Sequence, residues 1–200
     1  MDEYTETRPA VWLVRHGQST WNSLGLRQGQ ADDARLTGRG YRQAHRALAS
    51  LRTEHFDIVY SSDLRRAHQT ASIIARGLGC DVIADERLRE QSFGRAEGSR
   101  LADLGPEKTG ILRGRVTDID ARADGGESLR DLYLRTSDFL GWLAAQQPQR
   151  DVVVVAHGGS IRMLEASIAG SDIVGMTWDA VANGSIHRFD LPIPATTVLT

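Results

Sequence analysis

Three observations predict an α/β fold with a mostly parallel central sheet. Apolar, β-rich runs alternate with segments of helical periodicity along most of the chain. The strongest run, Val152-Val153-Val154-Val155-Ala156, is apolar without a break, as expected of a strand buried on both faces. The composition, 40% hydrophobic and 25% charged over 200 residues, is that of an ordinary soluble domain with enough chain for one sizeable core.

The elements follow in order. Val11-Trp12-Leu13-Val14 is flanked by polar residues and reads as a buried strand. Residues 15–35, with their Gly and Gln, read as a loop. Leu36 to Leu51 is a helix, with Ala44, Leu48 and Leu51 on one face. Asp57-Ile58-Val59-Tyr60 is a second strand. Ser61-Ser62-Asp63 then offers N-cap chemistry to a helix whose stripe is Leu64, Ala67, Ala71, Ile74 and Leu78. Gly77 and Gly79 mark its end. Asp81 to Ala84 is a third strand. Residues 85–126 lack clear periodicity and form a lid-like excursion, from about 91 to 126, within a single domain spanning 1–200. Helix returns after Glu127, with Leu129, Leu132, Thr136, Leu140 and Leu143 on one side. The valine-rich strand comes next, then a helix over Ile161 to Ile168. Residues 185–190 and 196–199 read as edge strands.

Several function classes are excluded at this level. A formal net charge of −2 argues against a non-specific nucleic-acid binder and a polybasic membrane protein. The single Cys80 excludes an intrachain disulfide and a multi-Cys zinc site. No apolar run approaches the length of a membrane span, and the acidic Met1-Asp2-Glu3-Tyr4 start does not read as a signal peptide, so a cytoplasmic protein is expected. Zinc spacings such as H-E-x-x-H, the G-x-S-x-G elbow and the G-x-x-x-x-G-K-[ST] phosphate loop are all absent.

The chemistry collects at strand ends. Leu13-Val14-Arg15-His16-Gly17 is echoed by Val154-Val155-Ala156-His157-Gly158: an apolar strand, then His-Gly, then a turn. Ser61-Ser62-Asp63-Leu64-Arg65-Arg66 follows the second strand in the same way. Open α/β sheets bind ligands outside the carboxyl ends of their strands, so these three ends can present two His and several Arg to one crevice. A single His after a strand is most often structural; two His-Gly ends, one preceded by Arg, favour a site. Arg65 and Arg66 oppose the dipole of the helix they open, which points to an anionic partner. Arg forks match phosphate oxygens, and Gly after each His lets an anion approach backbone N–H groups.

These residues resemble the histidine phosphatase superfamily, the phosphoglycerate mutase-like proteins, from about residue 11 to 190. The similarity is carried by Arg15-His16-Gly17, with Asn22 six residues past His16. It continues through Gln28-Gly29-Gln30 and Leu36-Thr37 with Gly40 and Gln43-Ala44. Ser61-Ser62-Asp63-Leu64-Arg65-Arg66-Ala67 with Thr70-Ala71 comes next. Leu88-Arg89-Glu90 with Phe93-Gly94 and Glu97-Gly98, Gly126-Glu127-Ser128, and Ala156-His157-Gly158-Gly159 complete the set in the family's order. Arg35 stands where the family commonly has Pro, and Ala96 where it often has an aromatic residue.

The resemblance implies a three-layer α/β/α sandwich and a metal-independent enzyme without a cofactor. It implies that His16 attacks phosphorus and becomes a phosphohistidine. Arg15, Arg66 and His157 would hold the transferring oxygens, with Asn22, Gln28, Gly29 and Gly158 around them, and Glu90 would be the general acid and base. The Arg preceding Ala in the motif is Arg66, which separates it from Arg65. Only 36 residues lie between Glu90 and Glu127, fewer than a mutase's insertion, so a phosphatase acting on a small-molecule phosphate ester is expected. A cofactor-dependent phosphoglycerate mutase is the alternative, and a non-catalytic phosphate-binding or interaction module is a third reading. No nucleic-acid or membrane partner is expected; a homodimer is compatible with the sequence. Arg100, Lys108, Arg113, Arg115 and Arg122 on the excursion could attract an anionic substrate, or could simply be solvated charges offset by nearby acids.

Overall fold

Five strands form one sheet in this computed structural model, which describes residues 9–190. They are β1 (Ala10–Arg15), β2 (Phe56–Ser61), β3 (Asp81–Ala84), β6 (Asp151–Ala156) and β7 (Ile186–Asp190), in the order β3-β2-β6-β1-β7. All pairings are parallel except that of β7 with β1. The apolar run of residues 152–156 occupies the central position, because its side chains are wanted on both faces. Val152, Val154 and Ala156 meet one core cluster, and Val153 and Val155 meet the other.

Those clusters define three layers. On one face lie α2 (Gly38–Leu51) and α3 (Arg65–Leu78), which pack Leu48, Leu51, Ala67 and Ile74 against Val14 and Val59. On the other lie α5 (Leu129–Ala145) and α6 (Gly158–Ala169), which pack Leu140, Leu143, Ile161 and Leu164 against Val11 and Leu13. Burying an aliphatic side chain of this size contributes roughly 1.5–3 kcal/mol, so each layer is held mainly by a few such residues.

Several boundaries differ from the sequence expectation. The 15–35 loop contains a short helix, α1 (Thr20–Leu24), which Ser19 caps in a reciprocal pair with Asn22. Helix α2 starts at Gly38 because Thr37, not Leu36, supplies the cap. The cap of α3 is Leu64, with no side-chain cap bond; Ser61, Ser62 and Asp63 do not cap it. The Ser62 hydroxyl instead accepts from the Leu64 N–H at 3.3 Å and turns toward His157. Gly77 lies inside α3, and only Gly79, at φ 75°, ends it. Helix α6 begins three residues before Ile161, directly after His157, so the histidine stands at its N-cap. The strand expected at 196–199 lies outside the described residues.

Residues 85–126 carry three short 3₁₀ turns, the four-residue helix α4 (Pro106–Thr109), and a hairpin of β4 (Ile111–Leu112) with β5 (Arg115–Val116). Val116 and Ile119 tie this stretch to Leu132 and Met163 in a third apolar cluster. Among the described residues no helix is long and apolar enough to cross a membrane.

Candidate active site

Parallel register brings the three strand ends level. Arg15 of β1 pairs with Ala156 of β6, and Ser61 of β2 pairs with Val155. His16, Ser62 and His157 therefore leave the sheet side by side. The His16 and His157 rings stand 5.0 Å apart, and both are buried. Nδ1 of His16 lies 2.7 Å from the Gly17 carbonyl, which can only accept, so Nδ1 carries the proton. Its Nε2 is left with a free lone pair. The Gly17 N–H donates to the Thr70 hydroxyl at 3.1 Å, which gives the Thr70-Ala71 motif its purpose: α3 clamps the turn that holds the histidine.

Arg66 enters from the first turn of α3. It is fully buried, and its fork donates to the carbonyls of Ala31 at 2.9 Å and Gly29 at 2.7 Å. Arg65 is exposed and does not line the cavity, whereas Arg66 does. Arg15 donates through Nη1 to the Val181 carbonyl. His157 faces the Ser62 hydroxyl through Nε2 at 2.9 Å, and its Nδ1 is buried without a hydrogen-bond partner.

Glu90 reaches the site from the turn after β3. Its carboxylate accepts from the Gln91 N–H at 2.9 Å and, through the other oxygen, from the Gly159 N–H at 3.0 Å. Behind it stands Arg135 of α5, which donates to the carbonyls of Arg87, Arg89 and Glu90 and pairs with Glu127 at 2.9 Å. One guanidinium thus braces three successive points of the segment that carries Glu90, with Ser160 and Gln30 donating to the Arg89 and Glu90 carbonyls as well.

Arg15, His16, Arg66 and Glu90 border a cavity of about 270 Å³, lined also by Asn22, Gln28, Gly29 and Gly158. The Asn22 carbonyl oxygen accepts from Ser19 N–H and from Asn183, which leaves its amide N–H groups as donors. The Gln28 carbonyl oxygen accepts from the Ser19 hydroxyl at 2.6 Å, with the same result. Gly29, at φ 52°, adopts the left-handed backbone that turns its carbonyl to Arg66. His157 borders the chemistry from behind His16 and does not line the cavity itself. Of the excursion, Phe93 and Leu101 line the cavity, whereas Arg100, Lys108, Arg113, Arg115 and Arg122 are exposed and do not. Glu97 does not line it either; its carboxylate accepts from the N–H groups of Gln30 at 2.9 Å and Phe93 at 3.0 Å, bracing two loops. Sequence reasoning missed Arg27, Arg162 and Trp178, which complete the wall.

Burial dominates the electrostatics, with charge second. Burial, and after it the positive charge of Arg66 and then Arg15, holds the His16 imidazole well below its ordinary pKa, so it is neutral near pH 7. The same causes, burial first and then Arg66, depress His157. Burial lowers Arg66 to about 10, against a raising effect of Glu90. It still carries a full charge near pH 7. Among the described residues, the buried side-chain nitrogens without a partner belong to Arg15, Arg27, Arg66, His157 and Arg162. All lie at this one place, and the N-terminus of α6 points to it too. Orphaned buried donors cost about 1–3 kcal/mol each, so their concentration here marks a site built to receive acceptor oxygens. Among the described residues no group of three or more His, Cys, Asp or Glu is arranged to hold a metal ion.

A buried His beside Arg on adjoining strand ends, in this fold, defines a phosphoryl-handling protein, and the chain belongs to the histidine phosphatase superfamily (branch 1). That family's pattern matches residues 11–196. The chain is 36% identical over 181 residues to Probable phosphoglycerate mutase GpmB of Cronobacter sakazakii, covering 90% of this chain and 84% of that one. The Klebsiella pneumoniae protein of the same name is also 36% identical over the same span. In structure the chain is similar to a mycobacterial glucosyl-3-phosphoglycerate phosphatase in complex with VO3, with a TM-score of 0.79, 31% identity and 90% coverage of both chains. The mostly parallel sheet with helices on both faces is the architecture of those neighbours.

Proposed function

We propose that this chain hydrolyses phosphate monoesters through a phosphohistidine on His16, without a metal ion. The observation that carries the reading is the state of His16. It is neutral, its Nδ1–H is tied to the Gly17 carbonyl, and its Nε2 is left free in a side chain that lines the same cavity as Arg15 and Arg66. In the first step Nε2 attacks phosphorus, the P–O ester bond breaks, and Glu90 gives its proton to the leaving oxygen. In the second, Glu90 takes a proton from water, the oxygen attacks phosphorus, and the P–N bond breaks to release orthophosphate. Arg15 and Arg66 neutralise the equatorial oxygens throughout, and His157 and Asn22 serve them as uncharged hydrogen-bond donors.

His16→Ala is expected to lose on the order of 10³-fold or more in rate, and acid-labile phosphate should form on His16 in the parent protein, with EDTA present throughout. Label on Ser19, Ser61 or Ser160 would overturn the mechanism.

The name of the curated relatives keeps a mutase in view. Release of free phosphate separates the two. Incubation with 3-phosphoglycerate and a trace of 2,3-bisphosphoglycerate should not give rapid isomerisation to 2-phosphoglycerate. If it does, with little phosphate released, the mutase reading replaces this one. Glu90→Gln should lose far more activity on alkyl phosphates than on p-nitrophenyl phosphate, whose leaving group needs little protonation. Equal losses on both would remove Glu90 from the acid role.

A further inference from the structure

The two histidines of the site are near-equivalents by position. Each follows a strand end, each is buried, each is neutral near pH 7, and their rings stand 5.0 Å apart. What tells them apart is where each ring keeps its proton. In His16 the Gly17 carbonyl holds it on Nδ1 and leaves the Nε2 lone pair free. In His157 the deciding neighbour is Ser62, which has no task in the reaction just described.

Ser62 directly follows β2 and is fully buried. Its hydroxyl has one proton to donate and two lone pairs to offer. One lone pair receives the Leu64 N–H at 3.3 Å. The proton has one acceptor in reach among the described residues, Nε2 of His157 at 2.9 Å. Were Nε2 protonated instead, a buried O–H would be left without an acceptor, at a cost of about 1–3 kcal/mol. Ser62 therefore donates, Nε2 accepts, and the proton of the neutral ring sits on Nδ1.

The helix cap agrees. His157 is the N-cap of α6, where a bare Nδ1 would meet the free N–H groups of the first turn. It makes no such bond: the Gly159 N–H goes to Glu90 at 3.0 Å, and Nδ1 is buried with no partner. That is the state of a donor awaiting an acceptor.

We propose that Ser62 is a positioning residue that gives the two histidines their different roles. By occupying Nε2 of His157 it commits the Nδ1–H of that ring to an oxygen of the phosphoryl group, and it leaves His16 as the ring with a lone pair for phosphorus. The proposal rests on the phosphoryl group being held at His16. Ser62 itself touches neither phosphorus nor the leaving oxygen. Ser61 takes no part, since its hydroxyl donates to the Ser62 carbonyl at 2.8 Å.

The test reads the tautomer directly and needs no turnover. Long-range proton–nitrogen spectra are recorded on the full chain carrying nitrogen-labelled histidine, in phosphate-free buffer at pH 7.5, and the resonances lost in His157→Asn assign that ring. In the parent protein Nδ1 should carry the proton and Nε2 should be bare. Ser62→Ala should move the proton wholly or partly to Nε2. It should also weaken binding of orthovanadate by about 10-fold or more, because a hydrogen bond to a charged group loses its donor. Ser62→Thr keeps the hydroxyl and should restore the parent's spectrum and most of the affinity. A bare Nδ1 in the parent protein overturns the proposal without recourse to any variant. So does a Ser62→Ala protein that keeps the parent's tautomer, or one that binds orthovanadate within about 2-fold of the parent. Acid-labile phosphate on His16, measured on the same preparations, reports separately on the phosphatase reading. Its absence beside the expected tautomer would count against the phosphohistidine and not against the contact between Ser62 and His157.

Discussion

Two glycines of the site look alike in sequence and differ in what a methyl group would meet. At Gly159 an added Cβ would lie 2.2 Å from a Glu90 carboxylate oxygen, the far end of a flexible side chain. At Gly17 it would lie 2.3 Å from the Gly40 carbonyl oxygen, which is backbone. Gly159→Ala should therefore fold with nearly unchanged stability while displacing Glu90. Activity on alkyl phosphates is expected to fall by about 10²-fold, the range of a lost general acid, with p-nitrophenyl phosphate less affected. Gly17→Ala has no such escape, because Gly40 belongs to the first turn of α2 and its backbone cannot swing away. Its expected effect is a loss of about 2–4 kcal/mol in stability, as for other overpacked buried positions. Urea midpoints and kcat for both variants check the contrast. A Gly159→Ala protein as unstable as Gly17→Ala would mean that Glu90 is held more rigidly than its two backbone hydrogen bonds imply.

At the scale of elements, helix α5 reaches across to the Glu90 segment through Arg135. That side chain is about four-fifths buried, at 18% exposure, and satisfies three carbonyls and a carboxylate at once. Arg135→Ala leaves the Arg87 carbonyl without its donor and the Glu127 carboxylate without its ion-pair partner, and should cost about 3–5 kcal/mol, the range for breaking a buried pair by removing one partner. Arg135→Lys should recover only part of it, since an ammonium cannot span the same fork. A midpoint within 1 kcal/mol of the parent, a figure at the upper end for exposed ion pairs, would show the brace to be idle.

Nothing in the sequence pointed to this arginine. In a chain with 24 basic residues, all but Lys108 being Arg, one more Arg on a helix carries no local signal. His16, Arg66, Glu90 and His157 were legible because each stands in a motif at a strand end or turn, where backbone geometry leaves a recognisable spacing. Arg162 had a usable signal: it lies one helical turn past Gly158, where its fork returns to the Gly158 carbonyl. Reading α6 as starting at Ile161 hid that relation. The central place of β6 in the sheet was foreshadowed by the unbroken apolar run of residues 152–156. The α3 cap was misread because Ser62 had a more distant partner, His157, invisible to local rules.

At the scale of the whole molecule, the burial that keeps His16 neutral also sets how stability responds to acid. His16 and His157 are both held well below 6.5, chiefly by desolvation and then by Arg66. The unfolded chain takes up protons at these residues as pH falls through about 6.5, and the folded chain does not. The unfolded state therefore binds more protons in that range, and stability must fall as pH falls. Each histidine contributes a slope of up to about 1.4 kcal/mol per pH unit below 6.5, and none above it. Asp63 and Asp131, both lowered from 3.8 in the folded chain, add their own loss only at more acidic pH. The window from pH 6.5 to about 5 thus belongs mainly to the histidine pair. Urea midpoints at pH 7.5, 6.5 and 5.5 are expected to be level between the first two and to drop at the third. His157→Asn should flatten the drop, whatever it does to stability at pH 7.5. An anion at Arg15 and Arg66 offsets the charges that depress both imidazoles, so saturating phosphate should stabilise the fold and should do so more strongly at pH 5.5 than at 7.5. A midpoint that stays level down to pH 5.5 would mean the two imidazoles accept protons in the folded chain, and His16 would lose the neutral state on which its role as nucleophile depends.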